Sequence, residues 1–248
     1  MNPTLWRRLL AEFVGTALLV AAVVGSGITA TALSPDDVGL QLLENSVATA
    51  FALGALILTF GPVSGAHFNP VVSAADWFLG RRAGTGLTAR DLTGYVVAQT
   101  AGAIGGAILA DWMFKLPGVD FSAKDRTGGN LWLGEVVATA GLLLLIFALA
   151  RSGRAAAAPA AVGAYIGAAY WFTSSTSFAN PAVTIGRAFT DTFAGIAPAS
   201  VPGFLIAQLV GLAVGVGLVV VLYPSAGDTT GDVVVCHADP QSLKERNR

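Results

Sequence analysis

The apolar residues of this chain do not alternate with polar ones; they gather in long runs separated by short polar punctuation. Six runs approach or exceed the ~20 residues with which an α-helix crosses a bilayer: Trp6 to Ala32, Ser46 to Val63, Leu92 to Trp112, Leu131 to Arg151, Ala157 to Phe172 and Gly203 to Tyr223. Each predicts a transmembrane helix, the fifth with the least definite ends. Arg7 and Arg8 stand at the head of the first run, but the run is too long for a secretory signal and lacks a convincing cleavage site, so it predicts a retained span. Two shorter stretches punctuate the pattern. Ala66-His67-Phe68-Asn69-Pro70-Val71 follows the second run, and Ser177-Phe178-Ala179-Asn180-Pro181-Ala182 follows the fifth. Proline fixes φ near the helical value and lacks an N–H, while asparagine is a favoured N-cap, so each box predicts the start of a short helix. Asn2-Pro3 at the terminus is a chance pair.

The two halves of the chain match one another. Glu12-Phe13-Val14-Gly15-Thr16-Ala17 in span one is echoed by Glu135-Val136-Val137-Ala138-Thr139-Ala140 in span four. Ala98-Gln99 with Gly102 and Gly106 in span three is echoed by Ala207-Gln208 with Gly211 and Gly215 in span six. Three spans per half is an odd number of crossings, so the second copy enters the membrane upside down. The expected fold is an all-α membrane protein of six transmembrane helices plus two re-entrant half-helices in an inverted repeat. Residues 1–223 form one channel domain, with repeat one at about 6–112, repeat two at about 131–223, and a polar cytoplasmic tail at 224–248.

Composition sharpens this picture. Hydrophobic residues make up 54% of the chain, charged residues only 12%, and mean hydropathy is +0.68, against about 25% charged in soluble domains. A net charge of -1 gives no sign of a nucleic-acid partner. The basic residues instead report topology. With both termini inside, Arg7, Arg8, Arg81, Arg82, Arg90, Arg151, Arg154, Lys244, Arg246 and Arg248 are cytoplasmic, and only Lys115, Lys124, Arg126 and Arg187 lie outside. Cys236, the single cysteine, cannot form an internal disulfide and is an incidental thiol in the tail. With two histidines, His67 and His237, and no cluster of metal ligands or nucleophile–base pair, no metal, cofactor or enzyme activity is expected.

Two half-helices starting at the membrane midplane bring together dipole ends worth roughly half a positive charge each, a barrier to cations and protons. The side-chain oxygens of Asn69 and Asn180 can cap their helices while the N–H groups face a passing solute. Glu12 and Glu135 are costly in a membrane, at about +2.5 to +3.5 kcal/mol near a span centre. Their expected partners are backbone N–H groups in the non-helical legs before the boxes. The alternative is a proton relay in an ion-coupled secondary transporter, which a response of uptake to a proton or sodium gradient would reveal. His67 borders the cytoplasmic side of the pore near Asn69 or packs against the neighbouring loop, with a pH gate as a minor alternative.

Paired Asn-Pro boxes, a glutamate in spans one and four, and Ser64-Gly65-Ala66-His67-Phe68-Asn69-Pro70 resemble the major intrinsic proteins, the aquaporins and glycerol facilitators, over nearly the whole chain. The resemblance implies a passive channel for small neutral solutes in a lipid bilayer, assembled as a homotetramer, with Glu12 and Glu135 as scaffold residues. It also implies a selectivity ring formed by one residue from span two, one from span five and two flanking the second box, the last usually an arginine three residues after its asparagine. Gapless spacing from the boxes puts this ring at Thr49, Ala168, Ser177 and Val183. Val183 supplies neither the donors nor the charge of an arginine, and the set predicts a wide, weakly polar filter without aromatic side chains. Arg187, one turn beyond Val183, either lends charge to the outer vestibule or complements the end of its half-helix. Val71 stands where the family usually has alanine. The segment from Asn180 to Gly195 resembles a bacterial branch with valine in the filter, associated with arsenic-resistance genes. That branch implies an inner-membrane channel for arsenite, uncharged near neutral pH as arsenous acid, with glycerol and water as further solutes.

Overall fold

The structure, a computed structural model, describes residues 3–81 and 84–224. Arg82, Cys236 and the rest of the predicted tail beyond residue 224 lie outside the described residues. All regular structure in the described residues is helical: α1 (Leu5–Leu33), α2 (Val38–Ser64), α3 (Pro70–Gly80), α4 (Ala89–Met113), α5 (Gly129–Arg151), α6 (Ala158–Phe172), α7 (Pro181–Gly186) and α8 (Val201–Leu222). Six of these, α6 and α8 with their leading 3₁₀ turns, are long and apolar enough to cross a membrane; α3 and α7 are the two half-helices.

The second span begins at Val38 rather than at Ser46. Its first turns carry polar residues that hydropathy alone discounts, but they are paired inside the protein. Asp37 caps the helix by accepting from the Leu40 N–H at 2.9 Å. Gln41 donates to the Ser34 carbonyl at 2.6 Å and Asn45 to the Val23 carbonyl at 2.8 Å, which satisfies both amides against the end of α1.

The inverted repeat is visible as matched helix contacts. The α1–α4 pair closes where Gly102 and Gly106 meet the carbonyls of Phe13 and Ala17; the α5–α8 pair closes where Gly211 and Gly215 meet those of Val136 and Ala140. A side chain at any of the four would push the helices apart, which is why small residues recur at that spacing.

The legs leading to the boxes are held by the two buried glutamates. Glu12 accepts from the Ser64 hydroxyl (2.6 Å), the His67 and Phe68 N–H groups (3.0 and 2.7 Å) and the Gln99 amide (2.7 Å). Glu135 accepts from the Ser175 hydroxyl (2.6 Å), the Phe178 and Ala179 N–H groups (both 2.8 Å) and the Gln208 amide (2.7 Å). The legs need this bracing. Ala66 and Phe68 in the first leg, and Ser177 and Ala179 in the second, have φ between 49° and 52°, a left-handed conformation that costs a non-glycine residue about 1–2 kcal/mol. Four charge-assisted hydrogen bonds per carboxylate, at about 1.5–3 kcal/mol each, outweigh that strain.

Candidate pore

Asn69 and Asn180 cap the half-helices and also bind each other's legs. The Asn69 side-chain oxygen accepts from the Val71 N–H at 3.1 Å, and its amide donates to the Ala179 carbonyl at 2.8 Å. Asn180 accepts from the N–H groups of Ala182 and Val183 at 3.0 and 3.2 Å and donates to the Phe68 carbonyl at 2.8 Å. A primary amide has two N–H groups, so this cross-bonding leaves the second N–H of each asparagine for a solute.

Both asparagines line one cavity, walled by α1, α2, α5, α6 and the two legs. Its walls are unequal. α1, α2, α5 and α6 contribute apolar side chains, among them Leu19, Leu53, Ile146 and Ile166, while the legs contribute His67, Asn69, Ser177 and Asn180. A solute with hydroxyls on one side and a smooth back fits such a passage.

The end of the cavity beside the 114–128 connection is the distal end. Thr49, Ser177, Val183 and Arg187 all line the cavity. Ala168 does not. It lies exposed on the outside of α6, and the cavity position is filled by Tyr170, whose hydroxyl shares a hydrogen bond of 3.2 Å with Thr49. The gapless spacing from the second box therefore misses by two residues, because α6 continues to Phe172 and turns Val162, Ile166 and Tyr170 inward at four-residue steps. That spacing was the available signal. The expected absence of an aromatic side chain is corrected with it.

Ser177 is buried, and its hydroxyl has no hydrogen-bond partner among the described residues. Arg187 begins the 3₁₀ turn after α7 and is only 3% exposed. Its Nε donates to the Ala194 carbonyl, and its guanidinium carbon lies 3.5 Å from the centroid of the Phe178 ring. Arg187 both lines the cavity and stands at the C-cap of α7, so its position is compatible with either account from the sequence. His67 lines the other end, with Nδ1 3.0 Å from the Ser73 hydroxyl and its ring edge-on to Tyr95 at 5.4 Å. Pro70, Val71, Ala182 and Pro181 pack around the boxes without lining the cavity.

The 114–128 connection is pinned over the distal end. The N–H groups of Asp120 and Ser122 donate to the Phe189 and Ala188 carbonyls at 3.1 Å each, the Arg126 side chain donates to the Gly195 carbonyl at 2.9 Å, and Asp191 accepts from the Ala123 N–H at 3.0 Å. Among the described residues no group of three metal-ligating side chains is present.

Known proteins resemble this chain in sequence and in fold. The family model described as "Major intrinsic protein" matches residues 1–177, a stretch that ends just before the second box. The chain is 56% identical to "Aquaglyceroporin AqpS" of Rhizobium meliloti over 84% of its length and 86% of that protein. It is 31% identical to the "Glycerol uptake facilitator protein" of Pseudomonas aeruginosa, covering 87% of this chain and 88% of that one. The X-ray structure of the aquaglyceroporin from Plasmodium falciparum superposes on 90% of this chain and 99% of its own with a TM-score of 0.66, at 21% identity, a likeness of fold.

Proposed function

The chain belongs to the major intrinsic protein family, and on that premise we propose that it is a passive channel for small neutral polyhydroxy solutes, with arsenite as arsenous acid and glycerol as its principal cargo. The reading rests on four residues that line the same cavity, Thr49, Tyr170, Ser177 and Val183; taken as the selectivity ring, they put valine where the family usually has arginine. Three hydroxyls facing a valine suit a solute that exchanges its hydration shell for a few hydrogen bonds. The second N–H groups of Asn69 and Asn180 supply further donors at the boxes. Cations meet the positive ends of α3 and α7, each worth roughly half a charge, in line with Arg187.

The resemblance to relatives named for glycerol supports the polyol part of the proposal; arsenous acid follows from its likeness to a polyol and from the branch to which the second box is similar. In this reading the chain sits in a bacterial inner membrane as a homotetramer with one pore per subunit. Both termini and the tail from residue 224 are cytoplasmic, so the distal end opens outside. Purified protein in liposomes is expected to equilibrate glycerol and arsenite at least about tenfold faster than protein-free vesicles, the factor that a barrier lower by ~1.4 kcal/mol gives. Rates equal to those of empty vesicles refute the assignment, and a dependence on a proton or sodium gradient converts it to coupled transport.

A further inference from the structure

Three cationic side chains gather at the distal end, none of them in an ion pair among the described residues. Arg187 and Arg126 share the Phe178 ring, with guanidinium carbons 3.5 and 5.1 Å from its centroid. Lys124 lies close by, donating to the Phe193 carbonyl at 2.8 Å and sitting 4.8 Å from the Phe193 ring centroid. The neighbouring carboxylates are occupied elsewhere. Asp125 accepts from Thr127 and Ser200 at 2.6 and 2.9 Å, Asp191 from Ser122 and Ala123 at 3.3 and 3.0 Å, and Glu135 braces its leg. The one ion pair among the described residues, Arg8 with Asp91 at 3.3 Å, joins the N-terminal ends of α1 and α4.

Arg187 is the anomaly. It is only 3% exposed, and among the described residues only its Nε has a hydrogen bond. Its terminal N–H groups are not among the sealed polar atoms without a partner, so they open into the cavity that Arg187 lines. Charged donors held against an aromatic ring and open to a cavity suit an anion. Ser177 lines the same cavity, and its buried hydroxyl has no hydrogen-bond partner among the described residues.

We propose that the distal end of the pore is a binding site for a small tetrahedral oxyanion of the phosphate class, held by the Arg187 guanidinium and the Ser177 hydroxyl, and that its occupancy plugs the path of neutral solutes. Arginine meets such an anion with two parallel N–H donors, which gives geometry as well as charge. Arg126 does not line the cavity and acts as a positioning residue, raising the local potential from across the Phe178 ring. The site stands on its own geometry, while the plug rests on the proposed channel function.

Calorimetry of the detergent-solubilised full chain with inorganic phosphate reads the site without any flux. Saturable binding is expected, weakened about tenfold, or by ~1.4 kcal/mol, in R187Q and to a lesser degree in R126Q. In liposomes, external phosphate is expected to slow glycerol exchange at least about threefold relative to chloride at the same ionic strength, with each variant normalised to its own anion-free rate and less sensitive than the wild type. Absence of binding, equal binding by both variants, an equal effect of chloride, or binding seen only with anionic lipid overturns the proposal. Phosphate binding without any glycerol flux leaves the site intact and refutes the channel reading. If R187Q does not fold, R126Q decides: unchanged phosphate binding in that variant refutes the site.

Discussion

Val183, Tyr170 and Ala168 are separated by chemistry that a linear sequence hides. Val183 was legible because the second box fixes its own register: three residues after Asn180 the helix has made nearly one turn, and the side chain must face the same cavity. Tyr170 was missed because the count ran back from Asn180 through the irregular leg from Thr173 to Ala179, whereas the four-residue spacing of Val162, Ile166 and Tyr170 along α6 marks its inward face. The consequence can be measured. Tyr170→Ala removes the ring that faces Thr49 and is expected to raise the ratio of glycerol to water permeability, whereas Ala168→Leu, on the exposed side of α6, is expected to leave that ratio unchanged. The reverse pattern sinks the placement of α6. Val183→Arg is expected to cut glycerol permeability by roughly tenfold, equivalent to ~1.4 kcal/mol of added barrier, with a smaller loss for water, since a guanidinium fills the volume that valine leaves open. Stopped-flow light scattering on the same vesicles reads both solutes, and equal losses would count against Val183 as a size filter.

At the scale of elements, repetition is what made the architecture legible. A glutamate or a glycine pair in one span is a weak signal, but the same residues in two spans must do the same thing twice. The polar start of α2 escaped for the opposite reason: Gln41 and Asn45 look like loop residues until α1 supplies the carbonyls that satisfy them. The glycine pairs make a sharp comparison. Gly106→Ala drives a methyl group into the Ala17 carbonyl, while Gly217→Ala meets no heavy atom within 4 Å. Thermal melts in detergent are expected to show a loss of about 2 kcal/mol for the first and a change within about 0.5 kcal/mol for the second. Comparable melting of the two variants would mean that α1 and α4 are not held by close backbone approach.

Over the whole molecule, charge is distributed along the pore axis as well as across it. Lys124 is exposed as a residue, yet partial burial, followed by the charges of Arg126 and Arg187, pushes its pKa down to about 8. The sign follows directly. Lowering the pKa means that the cation is lost as pH rises through 8, so the distal end is most positive below that pH and less positive above it. A membrane-impermeant acylating reagent, followed by mass spectrometry, is expected to modify Lys124 with a half-maximal rate near pH 8. Arg126→Gln is expected to move that midpoint upward by removing a like charge; a midpoint near the ordinary lysine value in the wild type would remove the cationic cluster from the distal end. In sealed vesicles of one orientation, the same reagent tests topology, since Lys124 and Lys244 are expected on opposite faces.

The crossed amide bonds at the boxes have a consequence for how such a chain is made. Asn69 completes the leg of the second repeat, and Asn180 that of the first. Neither half can finish its own half of the passage. Until the second box is in place, the Phe68 carbonyl lacks the Asn180 amide and the Asn69 amide lacks the Ala179 carbonyl. The two boxes are therefore expected to reach their final geometry together, and a chain that stops before the second is expected to lack a finished passage.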